Sequence, residues 1–199
     1  MTVYSDPIAE FVCFTVFACW VSFGAIVVMG KRGAARGAAK RDVISTLGLA
    51  LQMAAYAICF IFFRTYFSPF LPMSKTTEII VAAFTAVLAL ASTWFCYVAV
   101  RALGRHWALM ARVIEGHELV QQGPFAIVRN PIYFAMLGML IAVGLAVSRW
   151  QALLAAIVVY LAGTWVRIHA EETLLREAFG AEFDDYARRV PAFLPRLFR

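Results

Sequence analysis

The chain alternates between long uncharged apolar segments and short polar ones. Three uncharged segments, residues 11–30, 43–63 and 79–100, each lie between charged residues. Each has about 20 residues, which as a helix is enough to cross the hydrocarbon core of a bilayer. Two shorter segments, residues 132–148 and 150–166, are separated by Arg149 alone, as in a helical hairpin. The pattern predicts an all-α integral membrane protein with about five transmembrane helices.

The composition supports this fold class. The chain is 63% hydrophobic and 15% charged, whereas soluble domains are about a quarter charged. The first ten residues contain no Lys or Arg, and the first apolar segment is longer than the apolar part of a signal peptide, so we expect the first helix to be retained. All four cysteines lie in predicted spans without the spacing of zinc ligands. We expect them to be apolar packing residues, and we expect no metal site.

The basic residues predict the orientation in the membrane. All but three of the 18 lie in the first loop, the third loop or the C-terminal tail. Because Lys and Arg resist translocation, the N-terminus is predicted outside, and the C-terminus and active site in the cytoplasm, at a bacterial inner membrane. The net charge of +6 is attributed to attraction by anionic headgroups rather than to nucleic-acid binding. Arg64 ends the second span, where we expect it to snorkel to water with no functional role.

Polarity divides the chain into two predicted regions, an N-terminal three-helix membrane region (residues 1–101) and a core (residues 102–199). The polar stretch of residues 102–130 is too long for an idle connection. After the fifth span, residues 169–179 have apolar residues at helical spacing, and Gly180 interrupts that helix. A second short helix then brings Phe183 and Tyr186 together. Both helices are predicted to be amphipathic and to lie at the cytoplasmic membrane surface.

The segment HELVQQGPFAIVRNPIY (residues 117–133) leads from this polar stretch into the fourth span. Gly123 and Pro124 predict a turn. Pro131 suits the first position of a helix, and it predicts an extended Asn130 that caps the helix N-terminus. Unpaired N–H groups at such a start can bind a ligand carboxylate, although a plain helix entry explains the residues equally well.

The segment RIHAEE (residues 167–172) ends the fifth span. Arg167 and Glu171 are four residues apart, so one interpretation is an intrahelical ion pair. In the other interpretation, Glu171 and Glu172 bind the ammonium or ribose hydroxyls of a cofactor, and Arg167 holds an acidic substrate.

Residues 103–195 contain, in order, LV, GPF, VRNPIY, an apolar hairpin, RIHAEE, LL, FG, F and Y before a prolyl end. This order resembles that of the isoprenylcysteine carboxyl methyltransferase and phospholipid methyltransferase family. The resemblance implies an enzyme that transfers a methyl group from S-adenosylmethionine to a lipophilic acceptor and releases S-adenosylhomocysteine. It implies catalytic roles for Arg167, which would bind the substrate carboxylate, and for Asn130. Implied cofactor contacts, with Glu172 added for its adjacency, are His117, Glu118, Leu119, Val120, Phe125, Asn130, Pro131, Ile132, Tyr133, Glu171 and Glu172.

Two positions depart from the family pattern. Asn130 stands where many members have histidine, and Phe125 where many have tyrosine, so a proton-transfer role is harder to sustain than cofactor binding. Methyl transfer from a sulfonium needs alignment rather than a covalent nucleophile. An aromatic face of Tyr133, Phe125 or Trp165 could contact the sulfonium. An amine acceptor would need a base, for which the candidates are His106, His117 and His169; the acceptor atom and the oligomeric state stay open.

Two other functions compete with this interpretation. One is an NADPH-dependent lipid or sterol reductase, which would need clustered arginines to bind the extra phosphate, whereas RIHAEE has one arginine and two acids. The other is a non-catalytic membrane scaffold or small transporter, in which the polar cytoplasmic residues would have no role.

Overall fold

The structure is a computed structural model, and it describes residues 6–30, 43–65, 68, 70–71, 74–104 and 119–195. The described residues form helices and the loops that join them; an isolated β-bridge links Phe63 and Ser148. A 3-10 turn at Gly123–Ala126 precedes the fourth helix. The α-helices are α1 (Pro7–Gly30), α2 (Val43–Ile61), α3 (Lys75–Leu103), α4 (Pro131–Val147), α5 (Trp150–Phe179) and α6 (Ala181–Arg189).

Five of these helices are apolar enough to belong in a membrane. Helices α1, α2, α3 and α5 are also long enough to cross one, and α4 is a shorter apolar helix of 17 residues. At 1.5 Å per residue α4 is about 25 Å long, slightly less than a hydrocarbon core. Large apolar side chains cover the outside of the bundle, among them Phe11, Phe14, Phe84, Trp94 and Val158. The predicted all-α integral membrane fold is confirmed.

Helix α4 lies at the centre of the bundle, in contact with α1, α2, α3 and α5. Its small residues allow this enclosure, since Ala135, Ala142 and Ala146 are all buried. Two buried tyrosines hold its backbone from neighbouring helices: Tyr56 of α2 donates to the carbonyl of Met136 (2.8 Å), and Tyr160 of α5 donates to that of Tyr133 (2.7 Å). These bonds fix the first turns of α4 relative to α2 and α5.

Helices α2 and α5 approach each other closely at two glycines. A Cβ added at Gly48 would lie 2.5 Å from Cγ of Arg167 and 2.7 Å from the carbonyl oxygen of Gly163. One at Gly163 would lie 2.7 Å from the carbonyl oxygen of Gly48. Small residues are what allow helix backbones to meet in a membrane. One turn further along α2, Nε2 of Gln52 donates to Oγ1 of Thr164 (2.9 Å).

Helix α5 is longer than the sequence pattern predicts. The fifth span and the amphipathic segment that follows it form one continuous helix, because nothing between Val166 and His169 breaks helical hydrogen bonding. The helix ends at Gly180, which has a φ of 51° that favours glycine. Helix α6 then packs Phe183 and Tyr186 into a small separate cluster, as predicted.

Arg64 corrects one expectation. Instead of snorkelling to water, its guanidinium donates to the carbonyls of Leu145, Ala146 and Ser148 at the end of α4, at 2.7–2.9 Å. Its Nε donates to the carbonyl of Ser68 (2.9 Å). The last carbonyls of a helix have no intrahelical donors, so Arg64 satisfies them and closes the turn between α4 and α5.

The predicted packing role of the cysteines is confirmed for Cys59 and Cys96, which are fully buried, and for Cys19. Residues from both predicted regions of the chain share one apolar core. The division at residue 101 therefore stays a prediction about sequence regions.

Candidate active site

Three polar side chains meet where α4 begins and where α5 passes it. Arg167 of α5 is 2% exposed. Its Nε donates to the hydroxyl of Tyr133 (2.8 Å), and its Nη2 donates to Oε1 of Glu171 (3.0 Å). The Tyr133 hydroxyl in turn donates to the same oxygen of Glu171. The predicted Arg167–Glu171 ion pair is thus confirmed, and it includes Tyr133 as a third member.

This arrangement stabilises a buried positive charge where the apolar part of α5 ends. Removing a guanidinium from water is costly unless charged and hydrogen-bonding partners replace the solvent. Glu171 supplies the charge, and the ring of Tyr133 lies 5.0 Å from Cζ of Arg167. The side chain of Glu171 is 21% exposed, and its Oε2 has no hydrogen-bond partner among the described residues. That oxygen is available to a ligand.

A second ion pair lies beside the first. Arg129, in the loop before α4, donates from Nε (3.0 Å) and Nη2 (2.6 Å) to Oε1 of Glu172. Its Nη1 donates to the carbonyl of Ala187 (3.0 Å) and to that of Val190. Glu172 is therefore engaged by Arg129, and Arg129 joins the loop, α5 and the end of α6.

The segment after α6 returns to the start of α4. The backbone N–H of Arg129 donates to the carbonyl of Pro191 (2.9 Å), and that of Asn130 to the carbonyl of Ala192 (3.1 Å). Tyr186 of α6 donates its hydroxyl to the carbonyl of Phe125 (2.6 Å). Burial raises the pKa of the Tyr186 hydroxyl, which favours the protonated form that donates this bond.

Asn130 occupies the predicted N-cap position, with Pro131 at the first position of α4, but it does not cap the helix with its side chain. Its Nδ2 donates to the carbonyl of Ala192 instead (2.9 Å). Its backbone, with φ −121° and ψ 62°, also departs from the extended conformation predicted, because both of its donors are held by one carbonyl. The N–H groups of Ile132 and Tyr133 consequently have no acceptor among the described residues.

The other predicted site residues are distributed around this cluster. Phe125 is buried in the main core, against which Val120 packs, while Leu119 packs against the Phe183 cluster. His117 and Glu118, like His106, lie outside the described residues. Trp165 is 66% exposed on the outside of α5, and Nδ1 of His169 is hydrogen-bonded to the carbonyl oxygen of Trp165. The structure therefore brings together Asn130, Pro131, Ile132, Tyr133, Arg167, Glu171 and Glu172, and leaves Trp165 apart from them.

Sequence reasoning missed Arg129 and Gly48. Arg129 stood inside the VRNPIY segment, where it counted only as a basic residue of a cytoplasmic loop. A signal was present, because a charged residue directly before a buried helix needs a partner. Gly48 lies in an apolar span, and nothing in the sequence indicates that its position faces Arg167.

We expect Arg129→Gln to loosen the C-terminal segment. Hydrogen bonds to charged groups contribute about 1.5–3 kcal/mol each, and this substitution removes an ion pair whose side chains are 11% and 17% exposed. Amide hydrogen exchange at Tyr186 and Val190 should become at least about tenfold faster. Arg188→Gln is the matched control, because Arg188 is 72% exposed and a surface pair contributes little. Equal exchange in the two variants would show that Arg129 does not hold this segment.

Comparison with known proteins identifies the family. The sequence pattern of the family described as phospholipid methyltransferase matches residues 80–182. The chain is 38% identical over 97 residues to the nickel-cobalt-cadmium resistance protein NccN of Alcaligenes xylosoxydans xylosoxydans, covering 48% of this chain and 45% of that protein. It is 35% identical over 102 residues to the cobalt-zinc-cadmium resistance protein CzcN of Cupriavidus metallidurans, covering 50% and 46%. The match thus spans less than half the length of each relative.

The family match includes the segments that carry the clustered residues. Tyr133, Arg167 and Glu171 lie within it, as do Arg129 and Glu172, whereas α1, α2 and most of α6 lie outside it or at its edge. The predicted resemblance is confirmed. Because the match covers more than half of the 199 residues, this chain belongs to the phospholipid methyltransferase family of membrane methyltransferases.

Proposed function

We propose that the protein transfers a methyl group from S-adenosylmethionine to a lipophilic acceptor at the cytoplasmic face of the membrane. The observation that carries the proposal is the Tyr133–Arg167–Glu171 cluster, which presents one unpaired carboxylate oxygen beside the start of α4. A polar cluster of this kind, beside the first turn of α4 and the end of the apolar part of α5, is costly in free energy and typical of a functional site.

The residues around the cluster fit the chemical groups of S-adenosylmethionine. The cofactor has a carboxylate, and the unpaired N–H groups of Ile132 and Tyr133 at the positive end of α4 are suited to bind it. It also has an ammonium and ribose hydroxyls, which Oε2 of Glu171 can accept. We propose that these groups, with Leu119, Val120, Phe125 and the predicted contacts His117 and Glu118, form the cofactor site.

Glu172 has a different role in this proposal. Because Arg129 occupies its Oε1 at 2.6 Å, we assign Glu172 to positioning the loop that precedes α4. Asn130 acts in the same way, since its amide holds the carbonyl of Ala192. Both residues hold the segments around the proposed cofactor site in place, and Glu171 is the carboxylate that contacts the ligand.

The role of Arg167 follows from its burial. A side chain that is 2% exposed is reached by an acceptor only when the residues around it move. In the described conformation Arg167 orients Glu171 and Tyr133; we propose that its positive charge also attracts an acceptor carboxylate that arrives laterally from the bilayer. Nη2 of Arg167 lies 3.0 Å from Oε1 of Glu171. An acceptor bound by Arg167 would therefore lie beside a cofactor bound by Glu171.

The reaction needs little from the protein beyond alignment. When bound, S-adenosylmethionine supplies a methyl group on a positively charged sulfur, which leaves as a neutral thioether. The site residues would hold the cofactor and the acceptor in position relative to each other and exclude water. A carboxylate or thiolate acceptor attacks without a base. His169, whose Nδ1 is hydrogen-bonded to the carbonyl of Trp165, is therefore not needed as a base for such an acceptor.

The distribution of basic residues supports a cytoplasmic location for the proposed site. Arg129, Arg167, Arg176, Arg188 and Arg189 all lie at this end of the bundle, and basic residues favour the cytoplasmic side.

A reductase that binds NADPH would need arginines free to hold a phosphate, whereas Arg129 and Arg167 are both paired with acids. The names of the two relatives refer to metal resistance. We propose no metal-binding function for this chain, because the described residues contain no cluster of His, Cys, Asp or Glu suited to a metal ion.

The proposal is tested by following a labelled methyl group. Detergent-solubilised protein is incubated with tritiated S-adenosylmethionine and a total membrane lipid extract, and the label is measured in the organic phase and separated by lipid class. We expect label in a lipid fraction, dependent on folded protein. Binding of the cofactor without transfer of label to any lipid would contradict a lipophilic acceptor.

A further inference from the structure

The end of the bundle away from the candidate active site contains a second polar region. It is formed where the segment after α2 meets the turn between α4 and α5. The N–H of Arg64 donates to the carbonyl of Val147 (3.0 Å), and that of Arg149 to the carbonyl of Phe62 (3.1 Å). These two bonds hold the segments side by side and give the region a defined shape.

This region lies at the opposite membrane surface. Arg149 precedes α5 and Glu171 lies near its other end, so the two are about 33 Å apart along the helix at 1.5 Å per residue. That distance matches the thickness of a hydrocarbon core, about 30 Å. A ligand bound here is therefore separate from one bound beside Glu171.

Two positive charges at this end, on Arg64 and Arg149, have no acidic partner among the described residues. Arg64 uses four of its five N–H groups on carbonyl oxygens, which satisfy its hydrogen bonds but leave its charge. The guanidinium of Arg149 is exposed, with no hydrogen bond or ion pair to any described residue. By contrast, Arg129, Arg167, Arg176 and Arg188 each pair with a carboxylate. This region therefore carries positive charge that no carboxylate of the described residues pairs with.

The two arginines border a cavity of about 400 Å³. Thr65, Ser68 and Gln151 add polar groups to its wall, and Phe70 and Trp150 add apolar ones. The N-terminus of α5 also opens there, with Arg149 at the N-cap position and no side-chain cap. Unpaired N–H groups at a helix start favour an anion, as do the two guanidinium groups.

We propose that this cavity binds a phosphate group, and that its source is the headgroup of a lipid in the leaflet opposite the candidate active site. Arginine and a helix N-terminus together match the charge and oxygen geometry of phosphate. The exposed Trp150 and Leu71 lie beside the cavity and suit the headgroup level of a bilayer, where aromatic side chains concentrate. Free phosphate has the same chemistry, and the experiment distinguishes the two sources.

The test titrates the full-length protein in detergent and measures bound lipid by native mass spectrometry. The probes are phosphatidylglycerol, diacylglycerol without a phosphate, and inorganic phosphate. Arg149→Gln should raise the dissociation constant of the first phosphatidylglycerol by about tenfold, the loss expected for one charge-assisted contact. Diacylglycerol should not bind. Displacement of phosphatidylglycerol by inorganic phosphate at an equal concentration would make free phosphate the ligand of this site and would overturn the lipid source.

Arg101→Gln is the matched control. Arg101 is also exposed at a helix end, but it lies on α3 at the other surface, over the ring of Tyr97. Both variants lose one positive charge, so any general attraction of lipid to the protein falls equally. The phosphate site is supported when only Arg149→Gln weakens binding and the variant unfolds at the wild-type temperature. Equal weakening by both variants, unchanged binding in Arg149→Gln, or equal binding of diacylglycerol would overturn it.

Discussion

Replacing Glu171 with alanine is expected to weaken binding of S-adenosylmethionine by about 10- to 100-fold. The substitution removes the unpaired Oε2, and a charge-assisted hydrogen bond contributes about 1.5–3 kcal/mol. It also leaves Arg167 buried without its charge partner, and the Tyr133 hydroxyl without its acceptor. Isothermal titration of the purified protein measures the affinity, and thermal unfolding measures the accompanying loss of stability.

Two further variants separate cofactor binding from stability. Glu171→Gln retains an oxygen for Tyr133 and Arg167 but removes the charge, so it should recover part of the stability without recovering the affinity. Glu177→Ala makes the same truncation on the exposed side of the same helix and should leave both quantities unchanged. If Glu171→Ala and Glu177→Ala bind S-adenosylmethionine equally well, Glu171 does not contact the cofactor.

Gly48→Ala is expected to lower both stability and activity, although the residue touches no ligand. Its Cβ would lie 2.5 Å from Cγ of Arg167 and 2.7 Å from the Gly163 carbonyl, so α2 and α5 must separate or Arg167 must move. Overpacking of this kind costs about 1–3 kcal/mol. Thermal unfolding in detergent should show the destabilisation. The rate of methyl transfer should fall in the fraction that remains folded, because Arg167 orients Tyr133 and Glu171.

The chain provides a matched control for this prediction. A Cβ added at Gly24, in the span α1, would have no atom within 4 Å. Gly24→Ala should therefore keep the wild-type unfolding temperature and activity. If Gly48→Ala behaves like Gly24→Ala, the close packing of α2 against Arg167 does not position the active site.

The sequence predicts features that depend on neighbours along the chain. The uncharged segments locate the membrane helices, since most side chains in a span meet lipid or another apolar residue. Arg149 locates the turn of the hairpin, and Pro131 the first residue of α4. The ion pair of Arg167 with Glu171 is also local, because residues four apart share one face of a helix.

The features that the sequence does not predict depend on distant contacts. Tyr133 joins the ion pair because α4 and α5 pack side by side, and apolar spans carry no pattern that sets their packing angle. Asn130 should cap α4, but the carbonyl of Ala192 competes for its amide. Arg64 reaches carbonyls more than 80 residues away instead of water. In each case, a contact between residues distant in the sequence adds to the local interaction or replaces it.

The cluster at the start of α4 is proposed to bind S-adenosylmethionine. The most direct measurement is isothermal titration of the folded, detergent-purified protein with S-adenosylmethionine, S-adenosylhomocysteine and NADPH in separate experiments. We expect saturable binding of the first two compounds at one site and none of NADPH. Binding of NADPH alone, or of none of the three by a protein with its full helical circular dichroism, would contradict the claim.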